Sequence, residues 1–347
     1  MKNIIVEIPS IKTPIVRSPG FEKKDLSEFK LDIMGLCEFG CRYCSSNTGN
    51  YLRINRERFA TLTEEQTGRR LHPTDSPQLS FHWFDMIEKL KAQLSTKKQG
   101  WGDGKTLVFS MLTDGFSPSL VAGGITRAAL DLVLKHTSFR IRILTKNAVV
   151  GEPEWVEFFK SHPGRFVVGL STGTTDDQWA RRVELGTSTP SSRLNALRSL
   201  QKEGVPTYGM LCPIFPDMMA SGNLDALIKT INPAKVEHIW AEPYNDRQNW
   251  RIVRGGYAKG SDGYDWMTQV YERGDAREWS LYASQLYVEL RRRAERGNWL
   301  GKLRYLLYEE GIQEEHIPLF KDFAGILLQS NPDAPLTGKA VGVPPTR

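Results

Sequence analysis

FKLDIMGLCEFGCRYC, residues 29–44, sets the reading of this chain. Its first part, Phe29–Met34, is an apolar run that stops at Gly35 and reads as a β-strand. Its second part places Cys37, Cys41 and Cys44 within eight positions, spaced C-x3-C-x2-C. The one other cysteine, Cys212, lies far downstream. Four cysteines in 347 residues are no disulfide framework. A tight trio more often binds metal or does redox work. Thiolates hold iron–sulfur clusters. Three of them leave one iron of a four-iron cluster without a protein ligand, and an open position is what chemistry requires. Zinc is the competing reading. It wants a fourth Cys or His nearby, and His72 and His82 stand at no familiar zinc spacing.

Outward from this stretch the chain alternates strand-like and helix-like segments. Strands are expected at Phe29–Met34, Thr106–Leu112, Phe139–Thr145, Arg165–Thr172, 205–213 and Val236–Pro243. Helical spacing falls between them, as in SFHWFDMIEKLKAQL with Ser80 as its N-cap, VAGGITRAALDLVLKH, EPEWVEFFK, SSRLNALRSLQKEG and NLDALIKTI. About six β-α units with short connections imply an α/β fold with a parallel sheet. The count fits either an open doubly wound sheet or a curved partial barrel. Residues 1–27 read as an extended lead-in. WRIVRGGYAKGSDGYDW (250–266) reads as a loop. SLYASQLYVELRRRAERGNWLGKLRYLLYEEG (280–311) reads as two helices split near Gly297, and the Pro/Gly-rich tail 331–347 reads as flexible.

Composition narrows the class without naming a function. The chain is 40% hydrophobic and 25% charged, as an ordinary globular protein is. No run of about 18 apolar residues suggests a membrane span. The proline-broken start lacks the core of a signal peptide, so a cytoplasmic protein is expected. A net charge of +6 permits a polyanionic partner without requiring one.

With the cysteine trio following the first strand of a repeated β-α chain, and Tyr43 directly before Cys44, the sequence resembles the radical S-adenosylmethionine (SAM) superfamily. FSMLTDGFSP after the second strand, LTKN after the third, VGLST at the fourth, VPTYGMLCPIFP, AEPYNDRQNW and KLRYLLYEEG give a likeness to its spore photoproduct lyase and DNA repair photolyase-like branch. The resemblance implies a partial (β/α)6 TIM-like barrel over residues 28–245, with a loop and α-helical C-terminal extension over 246–330. It implies a [4Fe-4S] cluster on Cys37, Cys41 and Cys44, and SAM cleaved there to a 5′-deoxyadenosyl radical. An external electron donor of flavodoxin or ferredoxin type is implied as partner, and a monomer is expected.

By the same resemblance Tyr43 contacts the adenine, Lys146 pairs with the SAM carboxylate, and Ser171 bonds ribose or methionine. Ser110, Asp114 and Arg193 are further cofactor contacts, while Glu242 contacts substrate or SAM. In the lyases a cysteine beside the second-strand serine returns a hydrogen atom to the product. Here Phe109 and Met111 flank Ser110, and Cys212 on the fifth strand reads as a buried core residue. A tyrosine, or recycling of deoxyadenosine, would take that role instead.

Two substrate classes stay open. One is a nucleic-acid base in DNA, with Arg247, Trp250, Arg251 and Arg254 holding phosphates and stacking on bases. The other is a small molecule or peptide. A zinc-bearing nucleic-acid-binding module is the non-enzymatic alternative.

Overall fold

The computed structural model describes residues 4–10, 13–44, 46, 55–73, 76–220, 222–245, 248–320, 322–330 and 336. Two short strands, β1 (Ile4–Ile8) and β2 (Ile15–Arg17), precede a single helical turn, α1 (Pro19–Glu22). β3 (Phe29–Leu31) then leads into the cysteine loop, followed by α2 (Arg56–Thr67), β4 (Leu79–Trp83) and α3 (Met86–Ser95). The alternation continues through β5 (Thr106–Phe109), α4 (Pro118–Ala122), α5 (Ile125–His136), β6 (Arg140–Thr145), α6 (Pro153–Lys160) and β7 (Phe166–Ser171). Next come α7 (Asp177–Val183), α8 (Pro190–Lys202), β8 (Thr207–Ile214), α9 (Asn223–Ile231) and β9 (Val236–Pro243). The C-terminal part holds α10 (Trp250–Arg254), α11 (Asp262–Met267), α12 (Ala276–Arg296), β10 (Leu303–Leu307) and β11 (Ile326–Leu328).

Among the described residues one sheet runs β11-β10-β9-β8-β7-β6-β5-β3-β2. Every pair from β3 to β11 is parallel, and β2 pairs antiparallel with β3. The order never reverses, so the sheet lacks the switch point of a doubly wound fold. It winds in one direction, as a barrel does. Side chains on its inner face show the curvature. Arg140 on β6 makes an ion pair with Glu237 on β9, three strands away. In a flat sheet their backbones would be about 14 Å apart. The Tyr208 hydroxyl donates to the Ile143 carbonyl across two strands at 2.9 Å. The barrel is open, with β2 and β11 at its two ends.

Period-2 alternation divides the residues between two cores. Phe166, Val168 and Leu170 point outward and pack with the helices, beside Ile141, Ile143 and Leu211. Val167, Tyr208, Met210, Trp240 and Leu306 fill the concave side with Leu26. The segment after α1 lies against that side. Trp240 donates to the Lys24 carbonyl at 2.9 Å, and Arg142 donates to the Leu26 carbonyl. Lys23 reaches the carbonyls past β11, and Arg304 of β10 pairs with Asp25. The expected lead-in is therefore structured, and it forms a floor for the barrel.

Other expectations are corrected as well. Ser80 is no N-cap, because Leu79–Trp83 is a strand paired with β1. The helix starts only at Met86, after Asp85. The stretch 250–266 contains α10 and α11 rather than a plain loop, since Trp250, Val253 and Met267 provide a buried stripe. α12 is one long helix capped by Asp275, whose carboxylate accepts from the Glu278 N–H at 3.0 Å. The expected second helix after it is instead a strand. Leu303, Tyr305, Leu306 and Leu307 are buried where β10 joins the sheet between β9 and β11.

Candidate functional site

The loops after the strand C-termini surround a cavity of about 420 Å3 on the concave side. That size suits a small-molecule ligand, and this end of a parallel barrel is where sites form. The cysteine loop is one wall. Asp32 anchors its start, accepting from the N–H groups of Leu112 at 3.0 Å and Thr113 at 3.1 Å. The Gly35 and Leu36 N–H groups donate to Phe81 of β4. Glu38 is buried and accepts from the Ser119 N–H at 2.7 Å and its hydroxyl at 2.8 Å. Gly40 has φ +58°, and a Cβ there would lie 2.5 Å from the Pro77 carbonyl oxygen. On the far side Cys41 bridges Glu184, while the Arg42 N–H donates to the Val183 carbonyl at 2.8 Å. The loop is thus clamped from four directions before any ligand arrives.

None of the four cysteines forms a disulfide. Burial pushes the Cys37 thiol up to about 12, with Cys44 and Asp114 adding to the rise, and burial also raises Cys41 well above its ordinary value. Thiols raised in this way stay protonated unless a cation draws the protons off. A metal centre does so. Among the described residues no three His, Cys, Asp or Glu side chains converge as ligands of one metal ion. A four-iron cluster makes a different demand, since each thiolate binds its own iron. Cys37, Cys41 and Cys44 all line the one cavity, as ligands of separate irons in one cluster must.

The facing wall carries polar groups that suit a charged organic ligand. Ser110 stands at the end of β5 with φ +62°, a costly conformation for a residue with a side chain. Its buried hydroxyl has no hydrogen-bond partner and lies at the cavity. Gly115 leaves it room, because a Cβ there would stand 2.4 Å from that hydroxyl. Lys146 follows β6, and its ammonium donates to the Ser171 hydroxyl at 3.0 Å and lies 5.5 Å from the Tyr43 ring centre. Ser171 donates in turn to the Cys212 carbonyl at 3.1 Å. An orphaned hydroxyl, a second hydroxyl and an ammonium in one cavity with three thiols fit a cluster together with an amino-acid-bearing ligand such as SAM.

Asp114 lines the cavity, but its carboxylate is already engaged. It accepts from the Thr145 hydroxyl at 2.8 Å, the Lys146 N–H at 2.7 Å and the Phe116 N–H at 2.9 Å. Burial still raises it to about 6, against those hydrogen bonds. It fixes the loops that carry Ser110 and Lys146. Arg193 is neither a helix-surface residue nor a cavity contact. It is fully buried and pairs with Glu184, and it donates to the Ser171 carbonyl at 2.5 Å. Glu184 also accepts from the Tyr43 hydroxyl. Burial works against its charge, yet Arg193 and Lys146 outweigh that and leave its pKa below the usual range. Arg193 and Glu184 therefore hold the wall from behind.

The cavity lining also includes Glu242, which accepts from the Tyr308 hydroxyl, along with Lys24 and Cys212. Burial raises the Glu242 pKa, against the opposing influence of Lys24 and Tyr308. Cys212 was expected in a plain core. It instead lines the cavity, because Tyr208, Met210 and Cys212 share the inner face of β8.

The remaining expected residues lie elsewhere. Trp250 is 1% exposed, stacked on Tyr271 with ring centres 6.1 Å apart, so it offers no face to a base. Arg254 is committed to Glu272 and Thr268. Arg251 is exposed but does not line the cavity. Arg247 lies outside the described residues. Glu184, Tyr308 and Lys24 were missed. Tyr308 has a signal in hindsight, its two-residue spacing from Leu306 on an inward-facing strand; the Glu184–Arg193 pair has none, joining two helices nine positions apart.

No described helix is long and apolar enough to cross a membrane. No protein-family model matches the sequence, and no curated protein matches it. Among solved structures the chain is similar to a spore photoproduct lyase variant, at 14% identity and TM-score 0.48, over 94% of this chain and 81% of that one. A spore photoproduct lyase complexed with dinucleoside spore photoproduct is similar at 14% identity and TM-score 0.43, covering 76% and 69%. Native anSMEcpe with bound AdoMet and the Cp18Cys peptide is similar at 13% identity and TM-score 0.44, covering 78% and 61%. Likenesses this distant carry no inference about chemistry, which therefore rests on the residues of this chain.

Proposed function

We propose that the protein is a radical SAM enzyme. The observation that carries this reading is one cavity lined by Cys37, Cys41 and Cys44 together with Lys146, Ser171 and the orphaned Ser110 hydroxyl. The three thiolates would hold a [4Fe-4S] cluster, which when bound supplies a single electron for the cleavage of SAM. Lys146 would take the SAM carboxylate, its ammonium already aimed by Ser171. Tyr43, fixed through its hydroxyl to Glu184, would present its ring to the adenine. The buried walls keep water from the reacting centre. Lys146→Ala should weaken SAM binding by roughly 1.5–3 kcal/mol, the loss of one charge-assisted contact. Calorimetric titration of the reconstituted protein with SAM tests this, and an unchanged affinity removes Lys146 from the site.

For the substrate, we propose a single flat unit presented alone, a nucleic-acid base being the first choice. Glu242, Tyr308 and Lys24 would meet its polar edge. A base inside a duplex cannot enter such a cavity, so it would arrive flipped out or single-stranded. The net charge of +6 and the exposed Arg251 and Lys259 support this choice. Two observations favour the second reading, a small molecule or peptide. Trp250 is buried, and the arginines of α12 are engaged with acids, Arg291 with Glu295, Arg292 with Glu289 and Arg293 with Asp225. Reversing charge at Arg251 and Lys259 together should lower retention of single-stranded DNA and flatten its salt dependence by about two contacts. Retention indifferent to both salt and these changes assigns the substrate to the small-molecule class.

A further inference from the structure

Away from the cavity, the cysteine loop lies beside exposed residues. Cys41 pairs through its backbone with Glu184, and the next two residues, Leu185 and Gly186, are exposed. Leu185 is 37% exposed, among the few large apolar side chains in the open. Around it stand Arg181 and Arg182 in the last turn of α7, and Arg42 beside Cys41. None of these three arginines makes an ion pair among the described residues. Arg182 donates only to the Gly256 carbonyl, at 2.7 Å. Asp177, one turn before Arg181, is hydrogen-bonded to Ser191 and also feels the Arg181 charge. Some other surface arginines are paired with carboxylates, as Arg70, Arg127 and Arg277 are. The acid nearest the loop, Glu184, is buried and balanced by Arg193. The face is therefore a small apolar spot flanked by Arg42, Arg181 and Arg182, with Asp177 offsetting part of their positive charge.

We propose that this face docks the acidic one-electron carrier protein that reduces the cluster, an inference that rests on the radical SAM reading above. The transfer is one electron, with the carrier oxidised and the cluster reduced by one and no bond made or broken. Electron transfer weakens steeply with distance, so a carrier must approach a cluster ligand closely. The cavity side is where SAM and substrate would sit. On the outer side, Leu185 is one peptide from Glu184, whose backbone is bonded to that of Cys41. Exposed arginines steer an acidic partner and fix its orientation. An apolar centre within a polar rim is the anatomy of a protein interface. A nucleic-acid backbone would instead call for a track of cations, and Leu185 and Gly186 interrupt one here.

The test uses the reconstituted protein, an acidic flavodoxin and two reductants. Arg181→Glu combined with Leu185→Glu changes exposed side chains outside the cavity. Affinity for oxidised flavodoxin, read by calorimetry at low and moderate salt, should fall at least tenfold in this variant and barely change in Lys91→Glu, a charge reversal on α3. Deoxyadenosine formation driven by reduced flavodoxin should fall with it, while formation driven by dithionite, which needs no docking, stays at the wild-type rate. Unchanged flavodoxin affinity overturns the proposal. So does an equal loss with both reductants, which would make the face structural, or a loss confined to retention of a single-stranded oligonucleotide. A wild-type protein that forms no deoxyadenosine even with dithionite fails the radical SAM reading itself.

Discussion

Replacing Cys37, Cys41 or Cys44 singly by alanine should abolish iron–sulfur reconstitution, from about four irons per chain to none held stably. The three residues come from one clamped loop and line one cavity. On the radical SAM reading each would supply a ligand that the other two cannot replace, because each thiolate would meet a different iron. The loop itself should survive the change. Its anchors are Asp32, Glu38 and the backbone bonds to Phe81 and Val183, none of which involves a sulfur atom. Iron content, visible absorption and circular dichroism together separate loss of the cluster from loss of the fold. Full iron retention in any one variant would remove that cysteine from the ligand set. Cys212→Ala serves as the control, expected to keep its iron, since Cys212 lies on β8, outside the cysteine loop, and is influenced by Glu242 and Lys24.

Glu184→Gln should be the most damaging change behind the site. It leaves the fully buried Arg193 guanidinium without its counter-charge. Breaking a buried ion pair from one side costs about 3–5 kcal/mol, against a total stability of about 5–15 kcal/mol for a domain. Denaturant titration reads the loss. The pH dependence has a definite sign. The pKa of Glu184 is lower folded than unfolded, so its contribution is fully present above the ordinary carboxylate range of about 4.3. That contribution is lost as pH falls through the lower, folded value. The wild type should therefore lose stability on acidification where the variant loses less. A variant as stable as the wild type at neutral pH would show that Arg193 finds another partner.

Much of the fold was legible because the strands are short apolar runs bounded by turn residues. Val236–Pro243 was read to the residue, and the other five expected strands to within a few positions. Legibility failed where periodicity is ambiguous. LRYLLYEEG suits a helix or a strand equally, and only its place in the sheet between β9 and β11 decides. The strand around Cys212 is apolar on both faces, so alternation alone could not show which face meets the cavity. Pairing does show it. Ser171 stands opposite Met210, and Cys212 follows two residues on along the same face. The site residues at strand ends, Ser110, Lys146, Ser171 and Glu242, could be placed because every parallel strand delivers its C-terminus to one rim. Arg193 and Trp250 were misplaced because a lone arginine or tryptophan in sequence carries no sign of burial. Their partners, Glu184 and Tyr271, come from other elements.

The most direct measurement is electron paramagnetic resonance of the anaerobically reconstituted, reduced protein with and without SAM, followed by chromatography for 5′-deoxyadenosine. The radical SAM reading predicts a cluster signal that changes when SAM binds and deoxyadenosine that accumulates only when reductant, SAM and all three loop cysteines are present. Zinc in place of iron, or a cluster signal indifferent to SAM with no deoxyadenosine formed, would contradict it.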